Sequence, residues 1–239
     1  MRTFTKVGAK ELEKLPNLKY TVSCSIGIDN MDELEIKKRN INLVNCSGTN
    51  ANSVAEHTIF LLFSLLRNTN PPFPELKNKT IGIIRFGNIG KLVAKKLSGF
   101  ESKIIVFDII EQDKKLLEKL KVEMRSLEDV IKLLDIITIH VPLNPNTKNL
   151  INNRILSIMK PNSFIINTSR AEIIEEDALI RRYHQGKFRG IALDVYSENL
   201  KNQLKEGNIV FTSHTAAQGE DSYKEMCVEP IKELLKRTQ

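Results

Sequence analysis

From Thr80 onward, short apolar segments alternate with segments of helical periodicity, and this alternation constrains the fold more than any other feature of the chain. The apolar segments are rich in Ile and Val on both faces, as in strands buried between two layers of helices. Such strands are predicted at Thr80–Ile84, Lys103–Phe107, Ile136–His140, Ser163–Asn167, Gly190–Leu193 and Ile209–Phe211. The sequence therefore predicts an α/β fold with a doubly wound parallel sheet of the Rossmann type.

Upstream of Thr80 the sequence predicts a smaller α/β unit and then one long amphipathic helix, from about Asn52 to Arg67. The smaller unit is indicated by the patterns at Ala9–Leu15, Lys19–Ser23 and Asn30–Lys38. The proline-rich segment Asn70–Pro74 ends the long helix, because a residue that precedes proline is disfavoured in helical conformation.

Charge and apolar content limit the partners of the chain. The 36 Lys and Arg residues exceed the 29 Asp and Glu residues, for a net charge of +7, but they alternate with acids and form no single basic stripe. This pattern favours small anionic ligands over nucleic acid. The longest apolar run, Ile59–Leu66, is much shorter than the ~20 residues that cross a bilayer, so no membrane span is expected.

The first residues and the cysteines favour a cytoplasmic protein. Residues 1–6 lack the apolar stretch of a secretory signal. The 3 cysteines, Cys24, Cys46 and Cys227, are odd in number and far apart. We therefore expect buried thiols rather than a disulfide framework, and we predict no metal site.

A glycine-containing turn follows the first strand of the predicted sheet. The segment Arg85-Phe86-Gly87-Asn88-Ile89-Gly90 places Gly87 and Gly90 at the last two glycine positions of a dinucleotide-binding fingerprint. Arg85 replaces the first glycine, which normally makes the tight turn. Its side chain would both obstruct and attract a pyrophosphate, and we expect a net weakening of cofactor binding.

Asp108 ends the next strand, where an acid accepts hydrogen bonds from the adenosine ribose hydroxyls. This position favours NAD over NADP. A tight turn with a helix-capping aspartate would produce the same local pattern, so the turn and Asp108 are weak evidence by themselves.

Further motifs occur downstream and upstream of the turn, in a fixed order. They are Asn52–His57, His140–Asn144, Met159–Pro161, Asn167–Arg170, Ala192–Tyr196 and Thr212–His214. In this order they resemble the D-isomer-specific 2-hydroxyacid dehydrogenases, the group that includes D-3-phosphoglycerate dehydrogenase. The resemblance extends from about Arg2 to the C-terminal helix.

The resemblance implies a nucleotide domain inserted into a substrate domain, with substrate reacting between them. The expected limits are 1–46 for one portion of the substrate domain, 47–212 for the dinucleotide-binding domain and 213–239 for the returning segment. Arg2 matches a family position well past the first strands of the substrate domain. We therefore expect a second, smaller and incomplete α/β substrate domain. Because so small a domain buries little surface by itself, we expect a homodimer.

The resemblance also implies the catalytic residues. Arg170 would bind the carboxylate and carbonyl of a 2-oxo acid, because a guanidinium remains charged and grips a carboxylate through two parallel hydrogen bonds. His214 would donate the proton, because imidazole exchanges protons readily near neutral pH. In the family a glutamate hydrogen-bonds to this histidine and polarises it. Glu198 lies one position from where that glutamate is expected, and we expect it to take the same role. His57 and His140 are interpreted as packing residues.

Other positions are carried over from the same resemblance. The expected cofactor-binding residues are Gly87, Asn88, Ile89, Gly90, Asp108, Pro142, Thr168 and Asp194. The expected substrate-binding residues are Ser25, Ile26, Gly27, Asn50 and, by a weaker match, Arg2.

Three departures from the family pattern leave two hypotheses open. They are Arg85 for the first glycine of the turn, Ala171 for the glycine after Arg170, and a shortened segment between Tyr196 and His214. In that segment Asn199 stands where the family glutamate is expected, so either the loop has lost a residue or the carboxylate is gone. The first hypothesis is an NAD-dependent oxidoreductase that interconverts a D-2-hydroxy acid and its 2-oxo acid, with 3-phosphoglycerate as one candidate. The second is a catalytically impaired protein of the same fold that binds or senses NAD(H). An unrelated Rossmann enzyme such as a methyltransferase would have no use for the Arg170 and His214 motifs.

Overall fold

The computed structural model describes residues 6–23, 27–28, 30–45 and 48–238. The chain forms two compact units, one of Val54–Ala216 and one of Met1–Ser53 with Ala217–Gln239. The domain limits expected from the sequence, at residues 47 and 212, lie near these boundaries and stay a prediction.

Helices and strands alternate along most of the described chain. In order they are α1 (Ala9–Glu13), β1 (Tyr20–Ser23), α2 (Glu33–Lys38), β2 (Asn42–Asn45), α3 (Ala51–Arg67), β3 (Thr80–Ile84), α4 (Asn88–Leu97), β4 (Lys103–Phe107), α5 (Lys114–Leu120), β5 (Val122–Met124), α6 (Leu127–Leu133), β6 (Ile136–Ile139), α7 (Asn153–Ser157), β7 (Ser163–Asn167), α8 (Glu176–His184), β8 (Phe188–Leu193), α9 (Glu198–Gln203), β9 (Ile209–Phe211) and α10 (Glu220–Thr238). A short 3-10 helix, Ala171–Ile173, lies between β7 and α8. No helix within the described ranges is long and apolar enough to cross a membrane.

The smaller unit contains a two-stranded parallel sheet, in which β1 pairs with β2. Helix α10 packs against both strands. A compact apolar core is formed by Val7, Leu12, Met31, Ile36 and Ile41.

The larger unit contains a seven-stranded parallel sheet in the order β5-β4-β3-β6-β7-β8-β9, which confirms the predicted doubly wound fold. Alternate residues of each strand enter separate apolar clusters on the two faces. Ile84 joins one cluster and Ile83 joins the other, and both side chains are fully buried. Burial on both faces explains why these strands are apolar throughout rather than in alternation.

The strand order reverses between β3 and β6, which is where open α/β sheets bind ligands. The chain builds β3, β4 and β5 in one direction and then crosses over to place β6 on the other side of β3. Because the strands are parallel, the segments that follow their carboxyl ends lie along one edge of the sheet. This edge carries Arg85, Asp108, His140, Thr168 and Asp194.

Candidate active site

The turn after β3 has the geometry that the glycine pattern predicts. Arg85 adopts a φ of +77°, in the left-handed region that glycine normally occupies. Gly87 caps the start of α4, and Gly90 lies in its first turn. A β-carbon on Gly90 would collide with the backbone carbonyl oxygen of Arg85, so only glycine lets the helix approach the strand this closely.

Asp108 holds this turn from the neighbouring strand. Its Oδ2 atom accepts a hydrogen bond from the Phe86 N–H at 2.8 Å, and its Oδ1 atom accepts one from the Ile110 N–H at 3.1 Å. Each oxygen retains capacity for a further donor. Asp108 is half-buried, so its carboxylate remains accessible to a ribose at this edge of the sheet.

The start of α4 suits an anion. The first hydrogen bond of the helix joins the Lys91 N–H to the Gly87 carbonyl at 3.0 Å, so the N–H groups of Asn88 and Ile89 have no acceptor within the helix. Within the described chain, no side chain caps this end and no acidic residue lies in the first turn. Open N–H groups behind a glycine turn fit a dinucleotide pyrophosphate.

A cavity of about 300 Å³ lies at the same edge of the sheet and brings together two of the three predicted catalytic residues, Arg170 and His214. It is lined by Arg170, Ala171, Glu172, Asp194, Val195, Tyr196, Ser213 and His214. Three separate segments, after β7, after β8 and after β9, therefore contribute to one concave site.

Arg170 is positioned by the loop that follows β7. The Asn167 side chain donates to the Arg170 carbonyl at 2.8 Å and accepts from the Ser169 N–H at 2.9 Å. The Ser169 hydroxyl donates to the Ile139 carbonyl at 2.7 Å, which ties the loop to β6. These bonds fix the backbone of the half-buried Arg170, so the side chain that carries the guanidinium starts from a fixed position.

His214 is positioned by the carboxylate of Asp194, which is 1% exposed. That carboxylate accepts hydrogen bonds from the backbone N–H groups of Thr215 at 2.9 Å and Ala216 at 3.0 Å. The His214 N–H donates to the Asp194 carbonyl at 2.9 Å. His214 itself adopts a φ of +54°, a conformation that non-glycine residues adopt only where the surroundings enforce it. Asp194, expected at the nicotinamide, therefore also organises the histidine loop.

His57 completes this network, in addition to the packing role expected from the sequence. Its Nε2 atom lies 2.9 Å from the Thr212 hydroxyl, which in turn donates to Asp194 Oδ1 at 2.6 Å. Burial lowers the pKa of His57, and the negative charge of Asp194 partly opposes that shift. A neutral His57 can donate its Nε2–H to Thr212 and so fix the direction of the Thr212 hydroxyl.

His140 follows β6 and is a buried neutral group. Its Nε2 atom lies 2.9 Å from the Thr138 hydroxyl, and burial lowers its pKa to about 3. A ring that is neutral throughout the physiological range agrees with the packing role expected from the sequence.

Glu198 and Asn199 lie in the first turn of α9. Glu198 is exposed and is not among the residues that line the cavity. Asn199 donates to Glu176 Oε1 at 2.7 Å, so its side chain is held by α8. The structure thus places neither side chain in the cavity with His214, and the role of Glu198 stays a prediction.

The remaining predicted residues occupy different environments. Pro142 is exposed after β6, and Thr168 is buried with its hydroxyl 3.3 Å from that of Thr58. Asn50 and Gly27 belong to the smaller unit, and the Asn50 Oδ1 atom is buried without a hydrogen-bond donor among the described residues. Arg2, Ser25 and Ile26 lie outside the described residues.

Comparisons with known proteins agree with this geometry. Residues 50–216 match the family model described as "D-isomer specific 2-hydroxyacid dehydrogenase, NAD binding domain". A hydroxypyruvate reductase of Thermotoga maritima is 32% identical over 99% of this chain and 83% of its own length. A D-3-phosphoglycerate dehydrogenase of Methanocaldococcus jannaschii is 32% identical over 99% of this chain, which spans only 49% of that relative.

A solved structure gives the same result for the fold. The D-lactate dehydrogenase of Aquifex aeolicus, crystallised with NAD and lactic acid, superposes with a TM-score of 0.91 at 26% identity, over 99% of this chain and 81% of its own. The family model and the curated relatives together cover almost the whole sequence. The chain therefore belongs to the D-isomer-specific 2-hydroxyacid dehydrogenases, a family of NAD-dependent oxidoreductases.

Proposed function

We propose that this protein is a catalytically competent NAD-dependent oxidoreductase that interconverts a small D-2-hydroxy acid and its 2-oxo acid. The observation that carries this proposal is the cavity at the carboxyl edge of the sheet, where Arg170 and His214 line one space. The glycine turn before α4 lies on the same edge. A guanidinium, an imidazole and a dinucleotide turn are the groups that this reaction requires.

Each residue has a distinct task in the reduction of a 2-oxo acid. Arg170 binds the substrate carboxylate and polarises the adjacent carbonyl through charge-assisted hydrogen bonds. His214 donates its ring proton to the carbonyl oxygen as that oxygen gains negative charge, and it recovers a proton from solvent. The turn before α4 would hold NADH, which would supply the hydride to C2 of the substrate. In the opposite direction His214 accepts the hydroxyl proton.

The cofactor assignment follows the same edge of the sheet. The Asn88 and Ile89 N–H groups would bind the pyrophosphate, and Asp108 would bind the adenosine ribose. Thr168 would lie beside the nicotinamide, and Pro142 would line the wall of the cofactor site. Gly87 and Gly90 leave the space that this approach needs. Asp194 would contribute through the His214 loop as well as at the nicotinamide.

Several relatives are named as reductases of glyoxylate and hydroxypyruvate or as phosphoglycerate dehydrogenases, and others are named as aromatic 2-oxoacid reductases. We propose a small D-2-hydroxy acid and its 2-oxo acid as the substrate pair, with 3-phosphoglycerate as one candidate. We propose that the protein acts as a homodimer in the cytoplasm.

The second candidate function is NAD(H) binding without turnover, and a specific observation favours it. Asn199 occupies the position of the family glutamate and is held by Glu176.

Two measurements separate the two functions. NADH is titrated into the protein to measure binding, and its absorbance is then followed after addition of glyoxylate, hydroxypyruvate, pyruvate or phosphohydroxypyruvate. Oxidation of NADH by one of these acids supports the enzyme, and tight NADH binding without oxidation supports the sensor.

Cofactor choice provides a first prediction. We expect NADH to bind at least ten-fold more tightly than NADPH, a difference of ~1.4 kcal/mol, because the Asp108 carboxylate accepts ribose hydroxyls and repels a 2′-phosphate. Fluorescence titration of both cofactors measures the ratio. Asp108→Asn should reduce it, whereas the exposed Asp177→Asn should leave it unchanged. Equal affinities of the unsubstituted protein would contradict the role of Asp108.

The role that we propose for Glu198 provides a second prediction. A carboxylate near an imidazole favours the protonated ring, which is the form that donates to substrate. We therefore expect Glu198→Gln to reduce the reduction rate about ten-fold and to move its pH profile to lower pH. Asn199→Ala should have little effect, because Asn199 contacts Glu176. A normal reduction rate in Glu198→Gln together with a lower rate in Asn199→Ala would show that the carboxylate has been lost from this chain.

A further inference from the structure

Arg85 combines three features that the proposed reaction does not use. It replaces a turn glycine, it adopts a φ of +77°, and its side chain is exposed. The side chain lies over Gly87: a β-carbon built on Gly87 would be 3.5 Å from Arg85 Nε and 3.7 Å from Arg85 Cζ. The guanidinium therefore lies over the start of α4.

This placement is electrostatically unfavourable in the free protein. The amino end of a helix carries a partial positive charge, and a cation there is destabilising. α4 has no acidic residue in its first turn and no side-chain cap within the described chain. Asp108 is the nearest carboxylate in the turn, but it accepts bonds from Phe86 and Ile110, and no ion pair between Asp108 and Arg85 occurs among the described residues. Two positive features thus lie together without a described anion between them.

We propose that Arg85 is a direct ligand of the cofactor pyrophosphate, and that this chain has exchanged the first glycine of the fingerprint for a charged contact. The guanidinium would share the phosphate oxygens with the Asn88 and Ile89 N–H groups, through charge-assisted hydrogen bonds. This inference rests on the proposed binding of NAD at the turn. It differs from the expectation drawn from the sequence, in which obstruction outweighs attraction.

Backbone strain does not decide between obstruction and attraction. The left-handed conformation of Arg85 is set by the turn and is present both with and without cofactor, so its cost enters the stability of the fold and cancels from the affinity. The affinity for cofactor therefore depends only on whether the Arg85 side chain obstructs the pyrophosphate or binds it. Because the side chain is exposed and flexible, it can move aside from the space above Gly87 and still reach the phosphates.

The experiment compares NADH binding by the full chain and three variants, using fluorescence titration at low and at high salt. Arg85→Gln removes the charge and keeps a long side chain, and Arg85→Gly removes both the charge and the obstruction. Lys121→Gly is the matched control, because Lys121 also adopts the left-handed conformation, with a φ of +53°, at the far end of α5. Thermal unfolding without cofactor reports the relief of strain.

We expect both Arg85 variants to bind NADH about ten-fold more weakly at low salt, and to show less dependence of affinity on salt than the unsubstituted protein. Lys121→Gly should bind NADH normally, while both glycine variants should shift the melting temperature by a similar amount. Tighter NADH binding by Arg85→Gly with no change in Arg85→Gln would show that the arginine only obstructs the cofactor. Unchanged binding in both variants would show that the side chain turns away from the phosphates. Either result would overturn this inference but not the proposed function. Failure of the unsubstituted protein to bind NADH would overturn the proposed function as well.

Discussion

Replacing His214 by alanine is expected to reduce turnover of the 2-oxo acid by about 10²- to 10⁴-fold, since this is the usual contribution of a positioned general acid. Arg170→Ala is expected to cause a loss of at least similar size, because the guanidinium both binds the carboxylate and polarises the carbonyl. NADH affinity should remain within a few-fold in both variants. Both residues act on the substrate, and the proposed pyrophosphate and ribose contacts lie at other residues along the sheet edge.

The controls for this prediction are His184→Ala and Arg181→Ala. Both residues lie in the last turn of α8 and neither lines the cavity. Stopped-flow absorbance of NADH measures turnover, and fluorescence titration measures cofactor affinity. Turnover near the unsubstituted rate in His214→Ala or Arg170→Ala would exclude the mechanism proposed for that residue.

Replacing Asp194 by asparagine is expected to lower the free energy of unfolding by about 2–4 kcal/mol, because buried N–H groups lose a charged acceptor. An amide can accept with one atom only, whereas the Asp194 carboxylate receives the Thr215 N–H on Oδ1 and the Ala216 N–H on Oδ2. The loop that holds His214 in its left-handed conformation then loses part of its support. Turnover should therefore fall by at least about 100-fold, as for loss of the acid itself.

Thermal unfolding measures the stability effect, since each kcal/mol corresponds to roughly 2–4 °C in Tm for a chain of this size. The exposed Asp177→Asn substitution on α8 is the matched control and should change the unfolding free energy by less than about 0.5 kcal/mol. A stable Asp194→Asn variant with normal turnover would show that the carboxylate does not position the His214 loop.

Most of the larger sheet could be predicted from the sequence because its strands are buried on both faces. The strand β5 could not, because Val122–Met124 has a glutamate at its centre, whereas the equally short edge strand β9, Ile209–Phe211, is apolar throughout. Helix α9 is not indicated by the sequence, because only Leu200 of its six residues is buried and its apolar periodicity is weak. Short elements can be predicted only where their few residues are all apolar.

The site was predictable where it depends on local sequence and not where it depends on distant contacts. The left-handed conformation of Arg85 was implied by its place in the glycine pattern, and the structure has it. The link from His57 through Thr212 to Asp194 joins residues up to 155 positions apart, and no local sequence pattern predicts it. A histidine in a helix is predicted as packing until the fold shows which hydroxyl faces it.

The most direct test of the proposed function follows the transferred hydrogen. The purified protein is supplied with NADH in which both hydrogens at C4 of the nicotinamide ring are deuterium, and with the 2-oxo acid that it reduces fastest. The product is analysed by mass spectrometry and chiral chromatography. We predict one deuterium at C2 of a hydroxy acid of the D configuration, formed by His214→Ala at least about 100-fold more slowly. An L product, or deuterium found only in the solvent or the recovered cofactor, would contradict the assignment.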